Sequence, residues 1–234
     1  EILRGFTPWI EAKSSPVSCL ADSETPRSQA TIRPMPVPHP EIFKAYDIRG
    51  IVGHSLTPQI VEQIGRAVGS EALAAGDSAV VIGRDGRLSG PAISDALMDG
   101  ICATGCDAVE IGMVPTPLTY FATHALNIGS AVSVTGSHNP PDYNGLKIMI
   151  GTHTLAAERI QDLRKRIEAE SFMEGQGARR SENVVPTYMQ RVAGDIQLNR
   201  PLKVVTDCGN GVAGMAAPQL MRDIGCEVIE LYSD

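Results

Sequence analysis

The chain is poor in aromatic residues, which make up 4% of its 234 residues. It has no apolar run of the roughly 20 residues that a membrane span needs, and its N-terminus lacks the apolar segment of a secretory signal. Its five cysteines are scattered and odd in number, which disfavours a disulfide framework, and Cys102 and Cys106 are expected in the core rather than on a metal. With 20 basic and 27 acidic residues, the net charge of -7 provides no global field for nucleic acid. These absences predict a cytoplasmic protein that has neither a membrane nor nucleic acid as partner.

The first 40 residues differ in composition from the rest of the chain. They hold seven of the sixteen prolines and end in an alternating proline run at residues 34–40. Such a segment stays extended and has no core-forming periodicity, so residues 1–40 are predicted to be a disordered leader. An upstream extension that is foreign to the mature protein is an open alternative.

From residue 42 onward, predicted strands alternate with predicted helices, which is typical of the α/β class. The apolar content is mostly small aliphatic side chains, as expected for helices packed on a sheet. Caps and apolar spacing predict helices at 57–75, 89–104, 115–126, 155–168, 184–196 and 212–224. Strands are predicted at 78–82, 108–111, 129–134, 145–150, 202–206 and 227–231. A linker at 175–177 would separate a domain at 41–174 from an incomplete one at 184–234, because one βαβ unit cannot cover both faces of a sheet.

The most informative motif is Thr-Gly-Ser-His-Asn-Pro-Pro at residues 135–141, directly after a predicted buried strand. Open α/β sheets place ligand sites at the carboxyl ends of their strands. The small Gly136 would let a substrate come close, and Asn-Pro would fix the turn. The adjacent His138 is suited to moving a proton. The motif therefore predicts a nucleophilic or phosphorylated serine at Ser137.

Three further motifs have both a functional and a structural interpretation. Arg49, in Ala-Tyr-Asp-Ile-Arg-Gly, suits a phosphate, or it is a solvated arginine on a turn. Residues 83–90 suit an anion at a helix start capped by Ser89, or they form a loop whose Asp and Arg pair with each other. The Asn-Gly pair at 144–145 favours a hairpin turn that would bring Lys147 toward Ser137, and a surface lysine is the alternative.

A fourth motif, at residues 209–214, matches Gly-x-Gly-x-x-Gly between a predicted strand and a predicted helix. Together with Glu230 near the end of the next strand, it has the arrangement of a dinucleotide site. A glycine-rich turn without a cofactor explains it equally well.

Taken together, the serine motif, the Asp-Tyr-Asn-Gly-Leu-Lys that follows it and the motifs at 45–50, 83–87, 112–117 and 207–211 resemble the α-D-phosphohexomutases. The resemblance is strongest to the bacterial phosphomannomutase/phosphoglucomutase type and runs unbroken over residues 42–234. It implies a four-domain α/β isomerase of carbohydrate metabolism whose first domain is a mixed sheet sandwiched between helices. By the same resemblance, the phosphoserine Ser137 would move phosphate between the 1- and 6-positions of hexose phosphates through a bisphosphate intermediate. Arg49 and Lys147 would surround the phosphoserine, His138 would lie beside it, and Tyr46 would lie near the entrance.

The resemblance also implies Mg²⁺, bound by the phosphorylated Ser137 and by three aspartates of an Asp-Gly-Asp-Gly-Asp-Arg motif. That motif is absent from the 234 residues and is expected downstream. We therefore expect a fragment that is inactive alone, from a monomeric parent, with an exposed sheet at 202–231 that favours self-association. The alternatives are a phosphosugar-binding module without catalysis and a dinucleotide-dependent oxidoreductase.

Overall fold

The computed structural model describes residues 36–234 of the chain. The helices are α1 (Pro58–Ala74), α2 (Gly90–Cys102), α3 (Thr116–Ala125), α4 (Glu158–Glu168), α5 (Val185–Asp195) and α6 (Ala217–Asp223). The strands are β1 (Ile48–Ile51), β2 (Ala79–Arg84), β3 (Asp107–Met113), β4 (Ser130–Val134), β5 (Tyr143–Ile150), β6 (His153–Thr154), β7 (Arg179–Ser181), β8 (Lys203–Asp207) and β9 (Glu227–Leu231). In this part of the chain, no helix combines the length and apolar character that crossing a membrane requires.

Seven of these strands form one mixed sheet in the order β1-β5-β4-β2-β3-β7, with β6 paired to β5. The pairs made by β2 with β3 and β4, and by β3 with β7, are parallel. The pairs made by β5 with β1, β4 and β6 are antiparallel. The predicted α/β class with a mixed sheet is therefore confirmed.

Alternate residues of each strand point to opposite faces of the sheet. Helices cover both faces, so apolar side chains on each face are buried. Val80 and Ile82 of β2 pack in a core cluster with residues of α1, α2 and α4. Ala79 and Val81 pack in a second cluster with residues of α3. The helices thus sandwich the sheet, and β4, at its centre, is buried at every position.

Local signals at both ends fix the first helix. The hydroxyl of Thr57 accepts a hydrogen bond from the amide of Ile60, and Pro58 occupies the first turn, as predicted. At the other end, Gly76 has φ +89° and its amide donates to the carbonyl of Leu73. This left-handed glycine closes the helix.

Strands β8 and β9 form a separate two-stranded parallel sheet. Large apolar side chains on it are exposed, among them Val205 at 58% and Ile229 at 42%. Apolar side chains of this sheet are therefore exposed, while the exposed apolar edge expected at 202–231 stays a prediction. The self-association and the division into domains at 41–174 and 184–234 stay predictions.

Two local predictions around the serine motif are wrong. Asn144 and Gly145 do not form a hairpin turn; they lie inside β5, and the chain reverses in the loop at 135–142 instead. The Asn144 side chain accounts for the difference, because its carbonyl accepts from the amide of Gly145 while its amide donates to Ser89 Oγ. Ser89 consequently does not cap α2 with its side chain.

Three further predictions need correction. The predicted linker at 175–177 packs against the end of α2, since the amide of Gly177 donates to the carbonyl of Cys102, and β7 then joins the main sheet by pairing with β3. The predicted helix at 212–224 is divided into a 3₁₀ segment (Val212–Met215) and α6. Residues 36–40 of the predicted leader are also ordered, because the carbonyl of Pro36 accepts from Gln63 and Pro40 begins a 3₁₀ turn; residues 1–35 of that prediction lie outside the described residues.

Candidate active site

The predicted serine lies in the loop that follows β4, at the carboxyl end of the central strand. Ser137 is exposed and has φ +51°, a left-handed conformation that L-residues rarely adopt. Its Oγ lies 3.3 Å from Nδ1 of His138. The turn therefore presents a hydroxyl to solvent with an imidazole beside it, as the sequence predicted.

The loop after β2 supports the serine turn from beneath. Oδ2 of Asp85 accepts hydrogen bonds from Thr135 Oγ1 at 2.9 Å and from the amide of Gly136 at 3.0 Å. Arg87 also holds the turn, and its Nε lies 3.6 Å from the Asp85 carboxylate. The structural interpretation of residues 83–90, in which Asp and Arg pair with each other, is therefore the one that the structure favours.

The guanidinium of Arg87 makes the densest set of contacts at the site. It donates to backbone carbonyls that all belong to the serine loop and the start of β5, namely those of Ser137 (3.1 Å), Asn139 (2.6 Å), Pro140 (2.6 Å) and Tyr143 (2.9 Å). A Cβ at Gly136 would overlap this guanidinium. Gly136 is thus required by the arginine packed against it, a different reason from the substrate approach that the sequence suggested.

The predicted cations Arg49 and Lys147 come together around a carboxylate. Oδ2 of Asp47 accepts a 2.6 Å hydrogen bond from Arg49 and lies 3.7 Å from Nζ of Lys147. Asp47 is 6% exposed, and the two cations are partly exposed. Arg49 also donates to Oδ1 of Asn139 at 3.3 Å, which connects this cluster to the serine loop.

The pairing of strands explains why these residues meet. Arg49 on β1 is opposite Gly145 on β5, and Lys147 on β5 is opposite Ser133 on β4. Lys147 is therefore held next to the strand that leads into the serine loop. Tyr46, predicted near the entrance, is 72% exposed and directly precedes Asp47 in the chain.

Sequence reasoning missed Asp47, Asp85 and Arg87 as functional residues. Each lies within one of the motifs described above, but each also has a partner that is distant in sequence, such as Lys147 for Asp47 and the serine loop for Asp85 and Arg87. For Asp85 and Arg87, the sequence did contain a clue: residues 85–87 and 135–141 each directly follow a predicted strand. If both strands belong to one parallel sheet, the end of β2 lies beside the end of β4 and the two loops meet. Alternating acidic and basic side chains in such loops indicate pairs that support the neighbouring turn.

An open cleft of about 740 Å³ lies in front of the serine loop. Its walls include Ser137, Asn139 and Arg87, and on another side the turn at Asn210 and Gly211. The volume is in the range of small-molecule sites. The glycine-rich turn that had been a candidate dinucleotide motif therefore lines the same cleft as the serine.

The dinucleotide interpretation of that turn finds little support. A 3₁₀ segment follows the glycines, so no full helix begins where a pyrophosphate would bind. Glu230, the candidate ribose ligand, pairs with Arg222, and this hydrogen bond lowers the pKa of the carboxyl. A Cβ at Gly214 would overlap the backbone carbonyl of Ser233, so that glycine serves chain packing.

Among the described residues, no three His, Cys, Asp or Glu side chains cluster in a way that could hold a metal ion. Ser137 is the single predicted ligand in this chain, and Mg²⁺ needs several oxygen ligands. The residues present therefore do not by themselves make a Mg²⁺ site.

The fold and the loop define an α/β domain that presents a serine, backed by a guanidinium and flanked by a cation cluster, at the carboxyl edge of its sheet. Residues 40–174 match the family model described as phosphoglucomutase/phosphomannomutase, alpha/beta/alpha domain I. The chain belongs to this family, and the predicted resemblance is confirmed.

Individual relatives agree with this placement. A phosphomannomutase/phosphoglucomutase of Pseudomonas aeruginosa is 51% identical over 193 residues, which cover 82% of this chain and 42% of the relative. A phosphoglucomutase of Neisseria meningitidis serogroup A is 45% identical over 83% of this chain and 43% of its own length. A crystal structure of a phosphoglucomutase/phosphomannomutase family protein from Burkholderia thailandensis matches with a TM-score of 0.79 and 48% identity, over 83% of this chain and 44% of that one. The chain thus spans less than half the length of these relatives.

Proposed function

We propose that this chain carries the phosphoserine of a phosphohexomutase, which moves phosphate between the 1- and 6-positions of hexose phosphates. The observation that best supports this proposal is the exposed Oγ of Ser137. It is held in a left-handed turn at the edge of an open cleft, 3.3 Å from Nδ1 of His138. Membership of the family supports the reaction class, since its named relatives are phosphomannomutases and phosphoglucomutases.

Each proposed step uses residues of this chain. In loading, Ser137 Oγ forms a bond to the phosphorus of a hexose bisphosphate, and the bond between that phosphorus and the sugar oxygen breaks. The serine proton moves to the imidazole of His138, and the sugar oxygen takes up a proton as it leaves. In the reverse sense, the phosphoserine donates its phosphoryl group to the free hydroxyl of a hexose monophosphate, which regenerates the bisphosphate.

Arg49 and Lys147 are proposed to balance the charge of the phosphoserine, which is close to dianionic at neutral pH. Phosphoryl transfer depends mainly on positioning and on such electrostatic stabilisation. Tyr46 is proposed to contact the sugar at the entrance of the cleft.

Loading can be tested directly on the chain. It is incubated with glucose 1,6-bisphosphate and Mg²⁺, and Ser137 is examined by intact-mass and peptide mass spectrometry. We expect the mass of one phosphoryl group on Ser137, none on Ser137→Ala, and slow loading of Lys147→Met. Loading that survives Ser137→Ala, or that occurs on another residue, would overturn the assignment of the carrier.

Turnover is tested in a chimera in which residues 42–234 replace the aligned segment of the Pseudomonas aeruginosa relative, with which they share 51% identity. We expect the chimera to interconvert mannose 1-phosphate and mannose 6-phosphate, and its Ser137→Ala variant to lose this activity. A chimera that folds and binds hexose phosphates without turnover would favour the phosphosugar-binding module instead. The same assay on the chain alone tests the expectation that it is inactive by itself.

A further inference from the structure

We propose that Arg87 is a positioning residue for phosphoryl transfer, whose guanidinium holds the Ser137 loop in the conformation that accepts the phosphoryl group. The inference rests on the proposed function of Ser137 as carrier. It concerns a residue that contacts the loop backbone beneath the serine and is separate from the cations Arg49 and Lys147.

The first argument is the number and direction of the hydrogen bonds. One guanidinium donates to four carbonyls of residues 137–143, at distances between 2.6 and 3.1 Å. The carbonyl of Ser137 itself is among them, so its partial negative charge is directed at a cation. A phosphoryl group on the same residue would otherwise be repelled by free carbonyl oxygens of the turn. Arg87 thus offsets the partial negative charge of these carbonyls next to the position of the phosphoryl group.

The second argument is the backbone of the serine. Ser137 has φ +51°, which is uncommon for a residue with a side chain and persists where the surroundings determine it. The surroundings here are Asp85 on the amide of Gly136 and Arg87 on the carbonyl of Ser137. Since the two side chains also pair with each other, they hold the residues on both sides of the bend as one unit.

Within residues 36–234, Arg87 is the one side chain that donates to the carbonyls of Ser137, Asn139, Pro140 and Tyr143. Arginine has five donors in a planar fork, whereas lysine is a point charge on a flexible stem. The side chain of Arg87 is 17% exposed, and the peptide unit of Gly136 packs against it with no space for a Cβ. Loss of the guanidinium therefore removes a donor from all four carbonyls, of which that of Pro140 keeps the amide of Tyr143, and it leaves a gap beneath the turn.

The test compares Arg87→Ala, Arg87→Lys and a matched control, Arg179→Ala. Arg179 is a surface guanidinium that also makes several hydrogen bonds, to Asp95 and Asp99, away from the serine loop. Loading of Ser137 from glucose 1,6-bisphosphate is followed as a function of bisphosphate concentration. Hydrogen exchange of the peptide that contains residues 135–143 is measured in parallel, and thermal unfolding reports the overall fold.

We expect Arg87→Ala and Arg87→Lys to lower the saturating loading rate by about a hundredfold, since small displacements of a reacting group have effects of this size. The half-saturating concentration should change little, because the donors of the Arg87 guanidinium are directed at the carbonyls of the loop. Exchange in residues 135–143 should accelerate, and added guanidinium should restore both loading and protection in Arg87→Ala where ethylammonium does not. Arg179→Ala should match the unmodified chain.

Loading and exchange that are unchanged in both Arg87 variants would overturn the inference. It would equally be overturned if Arg87→Ala raised only the half-saturating concentration, or if guanidinium failed to restore a folded variant. Should Arg87→Ala fail to fold, Arg87→Lys decides through the same two measurements. Failure of both the unmodified chain and the chimera to load Ser137 would count against the proposed function, whereas the exchange comparison and its rescue by guanidinium would still decide whether Arg87 holds the loop.

Discussion

Asp47 and Arg49, two residues apart in the chain, form a 2.6 Å ion pair in which the carboxylate is nearly buried and the guanidinium is partly exposed. Lys147 approaches the same carboxylate oxygen at 3.7 Å. One buried negative charge is therefore shared by the two cations that are proposed to face the phosphoserine. The carboxylate keeps these cations together before the phosphoryl group arrives, and a phosphoserine with nearly two negative charges would then compete with it for them.

Replacement of the shared carboxylate of Asp47 should lower the stability of the folded chain. Asp47→Asn leaves Arg49 and Lys147 next to each other without their counter-charge, so we expect the free energy of unfolding to fall by about 1.5 to 3 kcal/mol. Asp162→Asn is the control, since the Asp162–Lys165 pair is more than half exposed and should contribute little. Urea denaturation measures both variants. Equal effects of the two substitutions would contradict a structural role for the shared charge.

The conformation of Ser137 predicts a conflict between stability and activity. A left-handed φ is unfavourable for a residue with a Cβ by about 1 to 2 kcal/mol, and glycine adopts it freely. Ser137→Gly should therefore raise the free energy of unfolding by about 1 kcal/mol relative to Ser137→Ala, which keeps the Cβ and lacks the hydroxyl. Neither variant should load phosphate. The comparison is made by denaturation of the two variants, and equal stability would show that the turn is not strained.

The sequence supported the main features of the fold because those features depend on local signals. The Thr57 cap and the buried strand before Ser137 are each specified by residues within a few positions of one another, and so is every strand and helix whose alternation indicated the α/β class. Strands β1 and β7 were not predicted, since each is short and is stabilised by pairing with a strand distant in sequence. The division of the predicted helix after Met215 was also not predicted, because helical spacing alone does not distinguish a 3₁₀ segment from an α-helix.

In the candidate site, too, residues recognisable from local motifs were predicted, and residues defined by contacts distant in sequence were not. Ser137, His138, Arg49 and Lys147 were found because their residue types suit phosphoryl chemistry within recognisable motifs. Arg87 was not assigned a role, since its hydrogen bonds reach carbonyls more than 50 positions away in the chain. Asp47 was not assigned one because its contact with Lys147, unlike its pair with the nearby Arg49, depends on the fold. The Asn-Gly pair at 144–145 was misassigned for a related reason, because the Asn144 side chain bonds to Ser89 and to its own strand.

The packing of Gly136 on Arg87 gives a further prediction. In Gly136→Ala, the added methyl group would overlap the guanidinium, so the loop must move or the arginine must leave its carbonyls. We expect a loss of about 1 to 3 kcal/mol of stability and faster hydrogen exchange in the serine loop. Gly86→Ala is the control on the neighbouring loop, because its Cβ would meet only Met113 Sδ, at an ordinary 3.7 Å. Unchanged exchange in Gly136→Ala would argue against tight packing beneath the turn.

The last prediction concerns alkaline pH. Burial raises the pKa of the Cys106 thiol from an ordinary 9.0 to about 12, so the folded state favours the neutral thiol. The resulting stability is fully present below about pH 9 and is lost as the pH rises toward about 12, because the unfolded chain ionises first. Relative to Cys106→Ala and Cys106→Val, which cannot titrate, the unmodified chain should therefore lose stability with a slope approaching about 1.4 kcal/mol per pH unit above pH 9. Urea denaturation between about pH 8 and pH 11 measures the difference. Parallel curves for all three proteins would show that the thiol ionises equally well in the folded and unfolded states.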